Sequence, residues 1–192
     1  MSTRIDPLPV DQWDDRTREL LGAGGTPGGG TLNIFATLAR HPDLLRRWLV
    51  FGSHVLAKTT LSGRHRELVI LRTGWLCRAP YEWGQHVVIA RGEGITDAEI
   101  ARIAEGPAAP GWDPFERLLL RAADELHTDQ CIALDTWRGL ARTYDEQQLL
   151  DLVFTVGQYT LVSMALNSCG VERDDGLDDP SVPFPLAPQP SK

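Results

Sequence analysis

The fold turns on two stretches. The first, Arg66-Glu67-Leu68-Val69-Ile70-Leu71, opens an apolar segment; the second, Tyr81-Glu82-Trp83-Gly84-Gln85-His86, follows it after a short break at Pro80. If the second stretch is helical, Glu82 and His86, four apart, stand one above the other on a single face. A carboxylate beside an imidazole handles protons, because imidazole titrates near neutrality and an acid neighbour holds it charged and oriented. A Glu–His pair at this spacing also occurs as a plain surface ion pair, worth about 0.2–0.5 kcal/mol.

Outward from this centre the chain reads as helices. Residues 11–21 suit a short helix, as do 33–40. Pro42 opens another, with Leu44, Leu45, Trp48, Leu49 and Val55 as its apolar positions. Ser62 is placed to cap a helix over 63–77, and Pro80 to start one ending near Gly92–Gly94. Thr96-Asp97-Ala98-Glu99 has the form of a capping box, and Asp113-Pro114-Phe115-Glu116 that of a strong helix start running to about His127. Asp135 is expected to cap a short helix, and Asp145 or Thr143 to start a long one ending near Cys169-Gly170. No segment alternates as a strand does. The expected fold class is all-α, a bundle of roughly seven or eight helices. Three regions follow: residues 1–30, an N-terminal helix and a loop with six glycines from Gly22 to Gly30; residues 31–172, a helical catalytic domain; and residues 173–192, a tail with five of the thirteen prolines.

Apolar residues make up 42% of the 192, enough for a globular interior, and the net charge is −7. That balance argues against nucleic acid and against an anionic membrane surface, both of which need clustered Lys and Arg. Three cysteines, Cys77, Cys131 and Cys169, lie far apart with no CxxC, as suits a reducing compartment. With a polar start and no long charge-free apolar run, the expected location is the cytoplasm. His127 and Cys131 mimic a ligand pair, but the sequence offers no third ligand.

The two opening stretches, followed by Gly94-Ile95-Thr96-Asp97-Ala98-Glu99-Ile100, resemble the carboxymuconolactone decarboxylase family, which is related to the D-type alkyl hydroperoxidases. The likeness is densest over 61–103. It implies an all-helical, homo-oligomeric enzyme, a trimer or hexamer, with its site near a subunit contact. In the hydroperoxidase branch a Cys-x-x-Cys pair precedes the motif His, and an upstream Glu relays protons. Carried across by spacing, that Glu falls at Glu67 and the His at His86, while the cysteine positions fall at Ala79 and Glu82. The dithiol is absent, and Cys77 lies two residues early.

The decarboxylase branch fits better. It implies His86 as proton donor to the enolate left by loss of carbon dioxide, with Glu82 and Glu67 orienting it. The substrate would be a small carboxylated lactone or enolisable acid whose own carbonyl is the electron sink, so no cofactor or metal is required. Arg72 or Arg91 would hold the substrate's carboxylate. Tyr81 and Trp83 either line the pocket or pack the core, and Asn167 and Gln158 are either pocket groups or core hydrogen-bonding residues. Glu67 has a structural alternative as a buried helix-pairing acid. The competing functions are a thiol peroxidase built on Cys77 and a non-catalytic binding protein of the same fold.

Overall fold

The computed structural model describes residues 2–22, 31–174 and 177. Most of the Gly-rich loop and of the C-terminal tail lie outside them. Within the described residues a 3₁₀ turn, Val10–Gln12, precedes nine α-helices. These are α1 (Asp15–Gly22), α2 (Asn33–Leu38), α3 (Pro42–Ala57), α4 (Gly63–Leu76), α5 (Pro80–Gly92), α6 (Asp97–Glu105), α7 (Pro114–Asp129), α8 (Leu134–Leu140) and α9 (Glu146–Cys169). No extended strand occurs among the described residues. The count is one or two above the expected seven or eight, and each of the nine falls on a segment expected to be helical.

The helix starts follow local chemistry. Ser62 Oγ accepts the His65 N–H at 3.2 Å. Thr96 with Glu99 and Asp145 with Gln148 form reciprocal capping boxes. α8 departs from expectation, since Asp135 lies inside it and caps nothing. Its start is held from α7 instead: the Glu125 carboxylate accepts the Ala133 N–H at 2.9 Å and the Thr136 hydroxyl at 2.8 Å.

α4 is the axis of the molecule. Every residue from Glu67 to Gly74 is buried, and the helix packs against α5, α6, α7 and α9. A helix covered on all sides needs no single apolar stripe, which is why charged residues sit in its interior provided each finds a partner. The turn to α5 is tight. Arg78 adopts a left-handed φ of 52°, and Ala79 N–H bonds back to the Gly74 carbonyl at 2.9 Å. The Asn167 amide of α9 donates to the Cys77 carbonyl at 3.0 Å and pins that turn.

α9 is long and apolar enough to cross a membrane by length and composition, yet half of that stretch is buried against the other helices. Its outer side leaves Leu150, Phe154, Leu161 and Met164 exposed. Residues just past α9 are structural rather than tail-like. Asp174 accepts hydrogen bonds from Asn33 N–H at 2.8 Å, Tyr81 Oη at 2.5 Å and Gln85 Nε2 at 2.6 Å.

Candidate active site

α5 carries two buried faces. Glu82, Gln85, His86 and Ile89, at helical spacing, line a cavity of about 160 Å³ that α2, α3 and α9 also line. Trp83, Val87 and Ala90, turned away, enter the core with Leu68, Leu71 and Ile103. Trp83 therefore packs the interior and does not line the cavity, contrary to the pocket reading of that residue.

Three ionisable groups meet at the cavity wall. His86 Nδ1 lies 2.7 Å from Glu67 Oε2 on α4, and His86 Nε2 lies 3.0 Å from Glu82 Oε1 on its own helix. Behind them Arg66 Nε donates to the other Glu67 oxygen at 2.8 Å and Arg66 Nη2 to Glu93 at 3.3 Å. The Tyr159 ring stands edge-on to the imidazole, centroids 4.9 Å apart. Glu67, Glu82 and His86 are all buried, so the surface ion-pair reading does not apply.

Burial works against a charged imidazole, but the hydrogen bonds and charges of Glu67 and then Glu82 outweigh it and raise the His86 pKa to about 9. Burial likewise acts to raise Glu67; His86 and then Arg66 overcome it and hold the carboxyl below its ordinary range. Burial, with the Glu82 and Glu67 charges, pushes the Tyr159 phenol well above its usual value, so it stays neutral. With its pKa at about 9 the imidazole is charged at neutral pH, held between Glu67 and Glu82 with both ring nitrogens engaged. Glu82 and His86 are the members that reach the cavity, while Glu67 holds the imidazole from behind.

The remaining expected site residues lie elsewhere or act otherwise. Arg72 is turned away from this wall: its guanidinium bonds Asp124 on α7 at 2.5 and 3.0 Å and the Ile103 and Ala104 carbonyls at 2.9 and 3.1 Å. It joins three helices and is not a substrate cation. Arg91, the other candidate, bonds Asp97 at 2.7 Å at the partly exposed end of α5. Tyr81 does line the cavity, and its hydroxyl donates to Asp174 and accepts from Ile34 N–H at 3.3 Å. Asn167 lines a separate groove with Cys77 and His127. There Cys77 Sγ stands 3.8 Å from His127 Nδ1, and burial raises the thiol's pKa while the Thr160 and Ser163 hydroxyls pull it down. Cys77 does not line the His86 cavity, and the three cysteines are free.

The cavity also takes residues that the motif alone did not point to. Trp48, Gly52 and Ser53 come from α3, and Gln158 and Tyr159 from α9. Among these, Gln158 had a signal, an amide on an otherwise apolar helix. Arg66, the first residue of the upstream stretch, carried no signal of its own.

Residues 42–125 match the sequence model of the carboxymuconolactone decarboxylase family. No curated protein sequence matches the chain. Among solved structures, an uncharacterized peroxidase-related protein from Ralstonia eutropha JMP134, described as an alkylhydroperoxidase AhpD core, superposes with a TM-score of 0.78 at 19% identity, covering 92% of this chain and 96% of that one. A peroxidase-related protein from Silicibacter sp. TM1040 gives 0.78 at 16% identity, with 90% and 92% covered. The debrominase Bmp8, as a cysteine-to-alanine variant in complex with 2,3,4-tribromopyrrole, gives 0.72 at 16% identity, with 92% and 95% covered. At these identities the likeness is one of fold.

Proposed function

We propose that the chain, which has the alkyl hydroperoxidase D-like fold and whose residues 42–125 match the carboxymuconolactone decarboxylase family model, is a member of that family and a cofactor-independent enzyme transferring protons to and from a small enolisable molecule. One observation carries the reading: a buried imidazole held at both nitrogens by carboxylates, on the wall of a mostly apolar cavity. Such a group is a proton store shielded from bulk water.

In the decarboxylase form of the reading, loss of carbon dioxide leaves an enolate in the cavity. The proton on His86 passes to the carbanionic carbon through Glu82, or directly once Glu82 swings aside. In the isomerase form, Glu82 first takes a proton from carbon next to a carbonyl, and the same groups return it. Glu67, braced by Arg66, keeps the imidazole oriented and charged in both. The two forms differ in what the substrate must offer, a carboxylate or an acidic C–H.

The test is turnover of a panel of lactones, β-keto acids and enolisable ketones by the wild type and by His86→Gln. Loss of activity in the variant is expected. A variant that retains full activity removes His86 from the mechanism.

A second reading, thiol peroxidase chemistry, draws support from the contact of Cys77 with His127 in the other groove. It requires a thiolate at Cys77, which burial opposes, and a hydroperoxide substrate consumed at the expense of an added thiol. Cys77→Ser would abolish such turnover and leave proton transfer at His86 intact.

The proposal extends to assembly. The exposed Leu150, Phe154, Leu161 and Met164 on α9, with Phe51 of α3 edge-on to Phe154 at 6.1 Å, suit burial against another copy of the chain. A homo-oligomer, such as the trimer or hexamer that the family resemblance implies, is the expected state.

A further inference from the structure

The groove of Cys77 and His127 lies where the ends of α4 and α7 meet α9, and its volume is about 660 Å³. Small-molecule sites span roughly 300–1,000 Å³. Two backbone positions single it out. Arg78 and Gln130 are the non-glycine residues with a left-handed φ among the described ones, 52° and 59°, and both line this groove. That conformation is costly for a residue with a Cβ, and such residues gather at functional sites. Gln130 has a local reason: its amide donates to the Leu126 and His127 carbonyls, each at 3.2 Å, and closes α7. Arg78 has none. It follows the C-cap of α4, where glycine is the usual residue. The carbonyls of Thr73, Gly74 and Trp75 accept backbone N–H groups, and that of Cys77 accepts the Asn167 amide, so the end of α4 does not need the guanidinium. Arg78 is exposed, and its guanidinium makes no hydrogen bond or ion pair with another described residue.

A nucleophile and a base stand beside that cation. Cys77 Sγ lies 3.8 Å from His127 Nδ1 and 3.9 Å from Thr160 Oγ1. Burial raises the thiol's pKa, so attack at neutral pH needs a neighbour to take the S–H proton, and imidazole is the side chain suited to that. Among the described residues no Asp or Glu lines the groove. The His86 cavity is the reverse: Glu82 lines it, and no described Lys or Arg does. Of the two spaces, the groove at Arg78 is the one that favours an anion.

We propose that this groove is a second reactive site, which holds a small carboxylate bearing an electrophilic carbon against Arg78 and joins that carbon to Cys77. The S–H proton passes to His127 Nδ1 as the S–C bond forms. In a conjugated acid the displaced π pair moves to the carbon beside the carboxylate, and the imidazolium returns its proton there. In a halo acid the carbon–halogen pair leaves as halide, and the proton goes on to water. No oxidant or reductant takes part. The site stands apart from proton transfer at His86. It differs also from thiol peroxidase chemistry, since an uncharged hydroperoxide gains nothing from Arg78.

Iodoacetate and iodoacetamide test the site, because they share the reacting carbon and differ in charge. Modification rates at each cysteine of the whole chain are followed at neutral pH and low ionic strength by peptide mass spectrometry. At Cys77 the ratio of the iodoacetate rate to the iodoacetamide rate should be about fivefold higher in the wild type than in Arg78→Gly, the upper range for an exposed ion pair. Added salt should shrink that margin, and Arg78→Lys should keep most of it. Arg78→Gly is safe for folding, because glycine adopts the left-handed φ without strain; its urea midpoint should match or exceed that of the wild type. His127→Ala should slow both reagents at Cys77 about tenfold or more, as loss of a base does, and leave their ratio unchanged. Equal ratios in the wild type and Arg78→Gly, or wild-type rates in His127→Ala, overturn the proposal.

Discussion

Raising the pH should unfasten this protein at His86. The imidazole's proton affinity rises on folding, from an ordinary pKa of 6.5 to about 9, because Glu67 and then Glu82 more than offset the cost of burial. A group whose folded pKa is raised contributes stability that is fully present below the unfolded pKa and is lost as pH climbs through the folded one. At about 1.4 kcal/mol for each tenfold change in proton affinity, the contribution is about 3 kcal/mol, present near pH 6 and mostly gone by pH 9. Urea denaturation of the wild type and of His86→Gln at matched pH values isolates it, since the variant lacks the titrating group. With an m value of about 1–3 kcal/mol/M, the wild-type midpoint should fall by about 1–3 M between pH 6 and pH 9 relative to the variant. Glu67 gives the acid side of the same coupling. Its pKa is lowered on folding, so its contribution is present above the ordinary carboxylate range and fades as the pH falls through the folded value. The two are one interaction seen from its two partners and are not added. Parallel pH profiles for wild type and variant would refute a buried, doubly paired imidazolium.

Four further outcomes follow from the same geometry. Glu82→Gln should lower turnover about 10²–10⁴-fold, the range for a lost general acid–base group, with the helical circular dichroism unchanged. Glu67→Gln removes the strongest support for the His86 charge, so the basic limb of the pH–rate profile should move to lower pH; an unmoved limb would separate Glu67 from the relay. Arg72→Met breaks a half-buried ion pair and two bonds to helix carbonyls and should cost about 1–3 kcal/mol in chemical denaturation, while the folded protein keeps its KM for any substrate turned over at His86, because Arg72 does not touch the cavity. Cys77→Ser should leave turnover of the lactone, β-keto acid and ketone panel at the wild-type rate, and loss of that turnover would place the chemistry at the thiol.

The helical plan was largely legible because its signals are local. Ser62, the Thr96–Glu99 box and the Asp145–Gln148 box each act within four residues, and each caps the helix it precedes. α8 shows the limit of such reading. Its cap comes from Glu125, eight residues before Ala133 and on another helix, so Asp135 in the local sequence pointed to the wrong partner. The pairing of Glu82 with His86 was legible for the same reason, as an i,i+4 pair. Its burial was not, since that depends on α3 and α9 closing over it.

The Arg72 misplacement has a geometric cause already contained in the helix. At 3.6 residues per turn, five positions separate two side chains by about 140°. Arg72 therefore had to leave α4 on a different side from Glu67, and on a helix packed all round that side is another interface, not the same cavity. The helix accordingly does two separate jobs. Toward α5 it supplies Glu67, whose bond to His86 sets the charge of the candidate site. Toward α6 and α7 it supplies Arg72, whose bonds to Asp124, Ile103 and Ala104 join three helices. The consequence is a candidate-site wall that holds an imidazole between two acids but, among the described residues, has no Lys or Arg on its lining, the arginine five residues from Glu67 being spent on the fold.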